Sequence, residues 1–171
     1  SDQLGFSISF SDMMDIAERF HRRGRRKTVL SQITRESLRK KVVVKHETFF
    51  AEVQKFFEAL RSQLPGDRLS WRLKEPLRTG PEMLSAYREF YALLAEIDEH
   101  MDNEHFRTEF EIARSRLFTA TQALAAAIGC EDPDWVYWLE RGDGELLGDV
   151  TVKGQPVDVA GVMARDVSGS Y

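Results

Sequence analysis

A single cysteine, Cys130, stands in 171 residues, so the chain can close no internal disulfide and build no thiolate metal cluster. With no charged-then-apolar leader among its first residues, the expectation is a reducing, cytoplasmic setting. No apolar run approaches the roughly 20 residues that a bilayer crossing needs, so no membrane partner is expected. The usual catalytic signatures are missing too. There is no Gly-rich phosphate loop ending in Gly-Lys-Ser/Thr, no Gly-x-Ser-x-Gly and no His-Glu-x-x-His. His21, His46, His100 and His105 are the only plausible bases or soft ligands, and the five-residue spacing of His100 and His105 puts them on different faces of a helix. The acids Glu96, Asp98, Glu99, Asp102, Glu104, Glu109 and Glu111 read as a solvated helical face more simply than as an acid–base pair. By itself the chain is therefore expected to hold no catalytic residue, no metal and no cofactor.

What is present argues for a folded domain. Apolar residues make up 42% of the chain, with eleven Phe and three Trp, which excludes wholesale disorder. A chain this long buries about two-thirds of the surface it exposes when unfolded. Residues 4–10 alternate Leu4, Phe6, Ile8 and Phe10 with Gly5, Ser7 and Ser9, the period of a half-buried strand. Ser11 or Asp12 then caps a short helix to about Arg23, ended by Gly24, with Met13, Ile16, Ala17 and Phe20 inward. The strongest helical stripe is Phe49, Val53, Phe56, Phe57, Leu60 and Leu64, stopped by Pro65-Gly66. The β-branched run Val42-Val43-Val44 leaves open whether that helix reaches back to Arg35.

Residues 68–74 alternate Leu69, Trp71 and Leu73 with Arg68, Ser70, Arg72 and Lys74 and read as an extended crossing. Helices follow over about 82–101, on Leu84, Tyr87, Tyr91, Leu94 and Met101, and about 103–128, on Phe106, Phe110, Ala113, Leu117, Leu124 and Ile128. The break at Asp102-Asn103 implies a helical hairpin. Strands at 135–141 and 146–152 flank the turn Gly142-Asp143-Gly144, and Asp158 could cap a last short helix. The expected fold is thus α+β, mainly α: one domain over 1–171, with an antiparallel helical bundle (11–128) inserted between terminal strands (4–10 and 135–152) that form a small sheet. Paired terminal strands are the geometry of a domain inserted into a loop of a larger host.

Charge is distributed unevenly. Against 24 Lys+Arg and 28 Asp+Glu overall, residues 19–45 hold eleven bases and the single acid Glu36, a local +10, which leaves −14 for the rest. Three readings stand for this segment: a solvated linker, a phosphate-contacting patch, or a surface docking on acids of a partner or of this same chain. Arginine outnumbers lysine between positions 19 and 27, which favours phosphate, because a guanidinium donates to it bidentately. The candidate contacts are Arg22, Arg23, Arg25, Arg26 and Lys27, aided by Arg35, Arg39, Lys40, Lys41 and Lys45. Single-strand platforms interleave bases with rings, and after Phe20 the patch has none. The nearest candidate for base stacking is Trp71, beside Arg72 and Lys74, for which a core role is the competing reading.

The run 134-DWVYWLER-141, followed after a short hairpin by 156-PVDVAGVMA-164, resembles the segment that closes the insertion in the first motor domain of DinG/XPD-like superfamily 2 DNA helicases. There a Tyr-Trp strand precedes Pro-Leu-Asp-Val and a short helix. The opening 1-SDQLGFSIS-9 is similar to the stretch just after those enzymes' DEAH box. Between these segments such helicases carry a largely helical arch-like domain. The resemblance implies a non-catalytic domain that helps guide single-stranded DNA, binding it weakly and without sequence preference, with the remaining motor domains as its other partner. The Walker A lysine and the DEAH acids, and with them ATP and Mg, would belong to the parent enzyme. Cys130 matches none of the clustered cysteines of iron–sulphur members, and 119-TATQ-122 echoes the Ser-Ala-Thr motif only superficially, because it lies before the Tyr-Trp strand. The alternative from a different class is a stand-alone helical adaptor that docks a protein partner through its polarised surface.

Overall fold

The computed structural model describes residues 5–64, 66, 68–142 and 146–157. The chain opens with strand β1 (Phe6–Ser9) and turns directly into helix α1 (Phe10–Phe20). Ser9 makes that turn. Its hydroxyl accepts from the Asp12 amide at 3.0 Å while the Asp12 carboxylate accepts from the Ser9 amide at 2.8 Å, a reciprocal capping box. The cap thus lies two or three residues earlier than the expected Ser11 or Asp12, and Phe10 is helical rather than part of the strand. Ser11 instead donates to the Gly148 carbonyl at 3.1 Å. Helix α1 also ends sooner, at Phe20, since His21 is extended; Met13, Ile16, Ala17 and Phe20 are its buried residues, as expected.

Helix α2 (Glu36–Gln63) runs unbroken through the valine run. Val42 is fully buried, so packing overrides the weak helical propensity of Val42-Val43-Val44. The expected stripe from Phe49 to Leu60 is buried. Strand β2 (Ser70–Leu73) follows, then helix α3 (Pro81–Leu94). The expected end of α3 at Met101 is corrected: a turn and a 3-10 segment, Asp98–His100, intervene. Ile97 and Met101 are buried all the same, so their spacing imitates one more helical turn. The inner face of α3 is also rotated from the expected one. Met83, Ala86, Tyr87, Phe90 and Leu94 are buried, while Leu84 and Tyr91 are half-buried.

Gly80 opens α3 at φ +117°, and a Cβ there would lie 2.7 Å from Ile128 and 3.3 Å from Phe56. Only glycine permits both this backbone and this close approach. Helix α4 (Glu104–Gly129) begins at Asn103, whose side-chain oxygen accepts from the Phe106 amide, and ends at Cys130 in a left-handed conformation.

Strand β3 (Trp135–Glu140) comes next, and β4 (Thr151–Pro156) completes the sheet. The second C-terminal strand is thus displaced from the expected 146–152, because Leu147–Asp149 form a 3-10 turn. The expected turn at 142–144 falls partly outside the described residues; Leu4 and the helix after Pro156 fall wholly outside them. The sheet order is β1-β4-β3-β2, antiparallel throughout. Strand β1 pairs with a C-terminal strand as expected, and β2, from the middle of the helical stretch, adds the fourth strand. The fold is α+β and mainly helical. Helix α3 packs chiefly on α2, and α1 on α4. The sheet presents Leu73, Tyr137, Leu139 and Val152 to the helical core.

Gly154 completes that face. It pairs with Phe6 on one side and Tyr137 on the other, and the two rings close over it with centroids 6.2 Å apart. A Cβ would meet Phe6 at 2.6 Å and Tyr137 at 2.9 Å. The opposite face carries Arg72, Trp138, Lys153 and Ser7 in one cross-strand row.

Candidate nucleic-acid interface

The basic segment between α1 and α2 is not a loose linker. Past the bases, Val29, Leu30 and Ile33 are buried in the core around a 3-10 turn, Leu30–Gln32. Thr28 and Ser31 hold each other: the Ser31 hydroxyl accepts from the Thr28 amide at 2.8 Å and donates to the Thr28 carbonyl at 2.7 Å. Thr34 ties the next residues to the far side of the bundle, where its amide donates to the His100 carbonyl at 2.7 Å.

At the base of the turn, the His21 Nδ1 and the Thr28 hydroxyl are 2.9 Å apart. Residues 22–27 therefore form a short projection clasped at its neck. Within it, the Arg25 amide donates to the Arg22 carbonyl at 3.1 Å, and Gly24 takes φ +84°. Arg22, Arg23, Arg25, Arg26 and Lys27 are all exposed. Arg23 pairs with Glu47 of α2 at 3.3 Å. The other four make no ion pair among the described residues, so their charge faces outward. Arg25 and Lys27 also line a recess of about 370 Å³ rimmed by Asp15, Glu18 and Glu109. Acids thus flank the projection on its α1–α4 side.

The helical candidates are arranged differently. Arg39 donates to the Ile33 carbonyl at 2.9 Å, Lys40 pairs with Glu36 at 3.0 Å, and Lys45 pairs with Glu89 at 2.8 Å. Arg35 and Lys41 are exposed. At about 100° per residue these five positions wrap around α2 instead of forming one stripe. The structure gathers the first five bases and disperses the second five.

Beneath the projection lies His46, 6% exposed, with Nε2 3.0 Å from the Ala17 carbonyl. A carbonyl only accepts, so Nε2 carries the proton, and Nδ1, which has no hydrogen-bond partner, is the bare nitrogen. Phe20, Phe50 and Phe90 surround the ring at centroid distances of 6.3, 4.8 and 5.6 Å. Burial pushes its pKa down to about 4, against a smaller opposing effect of the Ala17 hydrogen bond. The same Ala17 carbonyl accepts from the His21 amide at 3.1 Å. Burial lowers the pKa of His21 as well.

Trp71 is not a core residue. It is 42% exposed on edge strand β2. It lines an open groove of about 560 Å³ that starts at Gln63, at the end of α2, and runs along residues 68–78. The cations Arg68 and Arg78 line this groove with Arg72 and Lys74. Of these, Arg78 lies outside the alternating stretch 68–74 and is brought to the groove by the fold. The signal was there in the alternation of bases with Trp71, but alternating charge on a strand is also what any solvated face shows.

Among the described residues, no group of His, Cys, Asp and Glu could hold a metal ion, and no helix is long and apolar enough to cross a membrane. Comparison with protein-family models, with curated proteins and with solved structures gives no match for this chain.

Proposed function

We propose that this chain is a non-catalytic, arch-like insertion domain of a DinG/XPD-like superfamily 2 DNA helicase, and that it guides single-stranded DNA during unwinding. The observation that carries the reading is the clasped basic projection: five cations are displayed together on a backbone anchored at both ends, and four of them have no ion-pair partner among the described residues. Such a crest attracts phosphates whatever the base sequence. The acidic remainder repels the strand elsewhere and keeps it to the crest. The pairing of β1 with β4 accords with an inserted domain, because the described chain enters the sheet at Phe6 beside the point where it leaves at Pro156.

In this reading ATP and Mg are bound by the motor domains of the parent, which works in the cytoplasm. Arg39 and Lys45 contribute less to DNA than the turn does, since each already serves a bond within the fold.

The test is binding of a fluorescent oligothymidylate across a salt series, comparing the parent chain with a variant carrying Ser at positions 22, 23, 25, 26 and 27. About five neutralised phosphates give a slope of log affinity on log salt near −3.5, at roughly −0.7 per contact on single strands. The variant should lose most of that slope, with its melting temperature within about two degrees of the parent's. Undiminished binding by the variant at about 50 mM salt would remove the turn as the DNA contact. Docking on an acidic protein partner would then take its place.

A further inference from the structure

We propose that the groove along edge strand β2 is a second binding site for single-stranded nucleic acid, in which Trp71 stacks a base while Arg68, Lys74 and Arg78 hold the neighbouring phosphates. It extends the nucleic-acid reading of the basic turn but rests on a different part of the molecule. Arg23 is tied to Glu47, and the groove begins at Gln63, about 24 Å further along α2 at 1.5 Å per residue. The two can therefore be disabled separately.

Three observations carry the assignment. First, an indole nearly half exposed lines the same groove as Arg68, Lys74 and Arg78, with Glu75 the single carboxylate in that lining, a ring-and-base combination that the turn lacks. Single-strand sites join these two elements, since every base has a face to stack and every nucleotide a charge to neutralise. Second, the backbone that presents them is fixed. Arg141 donates through Nε to the Arg68 carbonyl at 2.9 Å and through Nη2 to the Gly66 carbonyl at 2.6 Å, while its amide donates to the Leu69 carbonyl at 3.0 Å. At the far end the Leu77 amide donates to the Ile128 carbonyl at 2.8 Å, and the Cys130 thiol lies 3.5 Å from the Leu73 carbonyl. A ring on a fixed backbone loses little freedom when a base settles on it. Third, Trp71 lies opposite Leu139, in the row that also holds Val152 and Ile8, yet it is 42% exposed while Leu139 and Val152 are fully buried.

An acidic peptide would satisfy the cations equally well, but it would give the exposed indole no flat partner. That difference decides for nucleic acid and sets the experiment. Fluorescein-labelled dT15 is titrated, by anisotropy at low salt, with the parent chain, with Trp71→Ala, with Trp71→Phe, and with a triple Ser variant at Arg68, Lys74 and Arg78. Each titration is repeated in the background of the five-Ser turn variant. Loss of one stacked base should weaken binding at least about fivefold in Trp71→Ala, and phenylalanine should restore much of it. The triple variant should make the salt slope shallower by about 2, at roughly 0.7 per contact.

Both effects should persist in the turn-variant background, so a failure of the turn and a failure of the groove give different results. Binding by Trp71→Ala within twofold of the parent overturns the proposal. So does an absence of dT15 binding by any form. Displacement of dT15 by oligoglutamate of equal charge, with the same dependence on Trp71, would instead make the groove a protein-docking site.

Discussion

Acidification from pH 7 to pH 5 should remove about 2 kcal/mol of folding stability through His46 alone. The folded chain holds the imidazole neutral to about pH 4, because protonation would place a charge among Phe20, Phe50 and Phe90. The unfolded chain takes up that proton near the ordinary value of 6.5. Between those two values the unfolded state binds more protons than the folded one. Stability is therefore fully present above 6.5, is lost as pH falls through the window, and levels off below about 4. At 1.36 kcal/mol per pH unit the full window amounts to about 3 kcal/mol, of which a little over half is lost by pH 5.

The comparison should stop there. Glu89, held below the usual carboxylate range by its hydrogen bond from Lys45, titrates lower still and adds a loss of its own under more acidic conditions. Urea unfolding at pH 7 and pH 5 is the assay, with His46→Gln as the control. Glutamine can still donate to the Ala17 carbonyl but has nothing to titrate. The variant should keep only the smaller slope contributed by His21, whose lowered pKa acts in the same direction. An equal pH dependence in the two proteins, or an NMR titration of His46 near 6.5, would refute the reasoning.

Two glycines provide further checks, both read by thermal and urea unfolding. Gly80→Ala should destabilise by at least about 2 kcal/mol, lowering the melting temperature by roughly 4–8 degrees, because it adds backbone strain at φ +117° to a contact of 2.7 Å with Ile128. Gly154→Val should cost about 1–3 kcal/mol by pushing Phe6 and Tyr137 apart, and much of that loss should vanish when Phe6 is also replaced by Ala.

The helices were legible where one face alone is apolar. Met13, Ile16, Ala17 and Phe20 mark α1 unambiguously, as does the stripe of α2. In α3 neighbouring positions are both apolar, Met83 beside Leu84 and Phe90 beside Tyr91, so spacing alone left the inner face uncertain by one residue. Strand β4 was hard to see for a different reason. Gly154 and Pro156 argue against a strand by propensity, yet the glycine is there because two rings from the adjacent strands occupy the space of a side chain, and the proline closes the strand opposite Trp135. Such a residue makes sense only once its cross-strand neighbours are known. The basic turn was visible as a charge cluster, but its rigidity was not. That depends on Thr28 meeting His21 and Ser31, and on Val29, Leu30 and Ile33 finding places in the core.

That rigidity bears on how the turn would handle a charged chain. A mobile basic tail attracts phosphates equally well at long range, since the field depends on net charge, but it must lose backbone freedom once contact is made. A projection clasped at His21 and Thr28 starts from a narrower set of backbone conformations, so less remains to be ordered. The arginine and lysine heads stay adaptable while the crest stays in place. A strand can then exchange one phosphate for the next without the site dissolving between steps. The acids Asp15, Glu18 and Glu109 at its flank leave the crest as the favourable line of approach, because a phosphate displaced toward them meets like charge within a Debye length of about 8 Å at physiological salt. Weak, sequence-independent contact in a fixed place is what a guide for a moving strand requires.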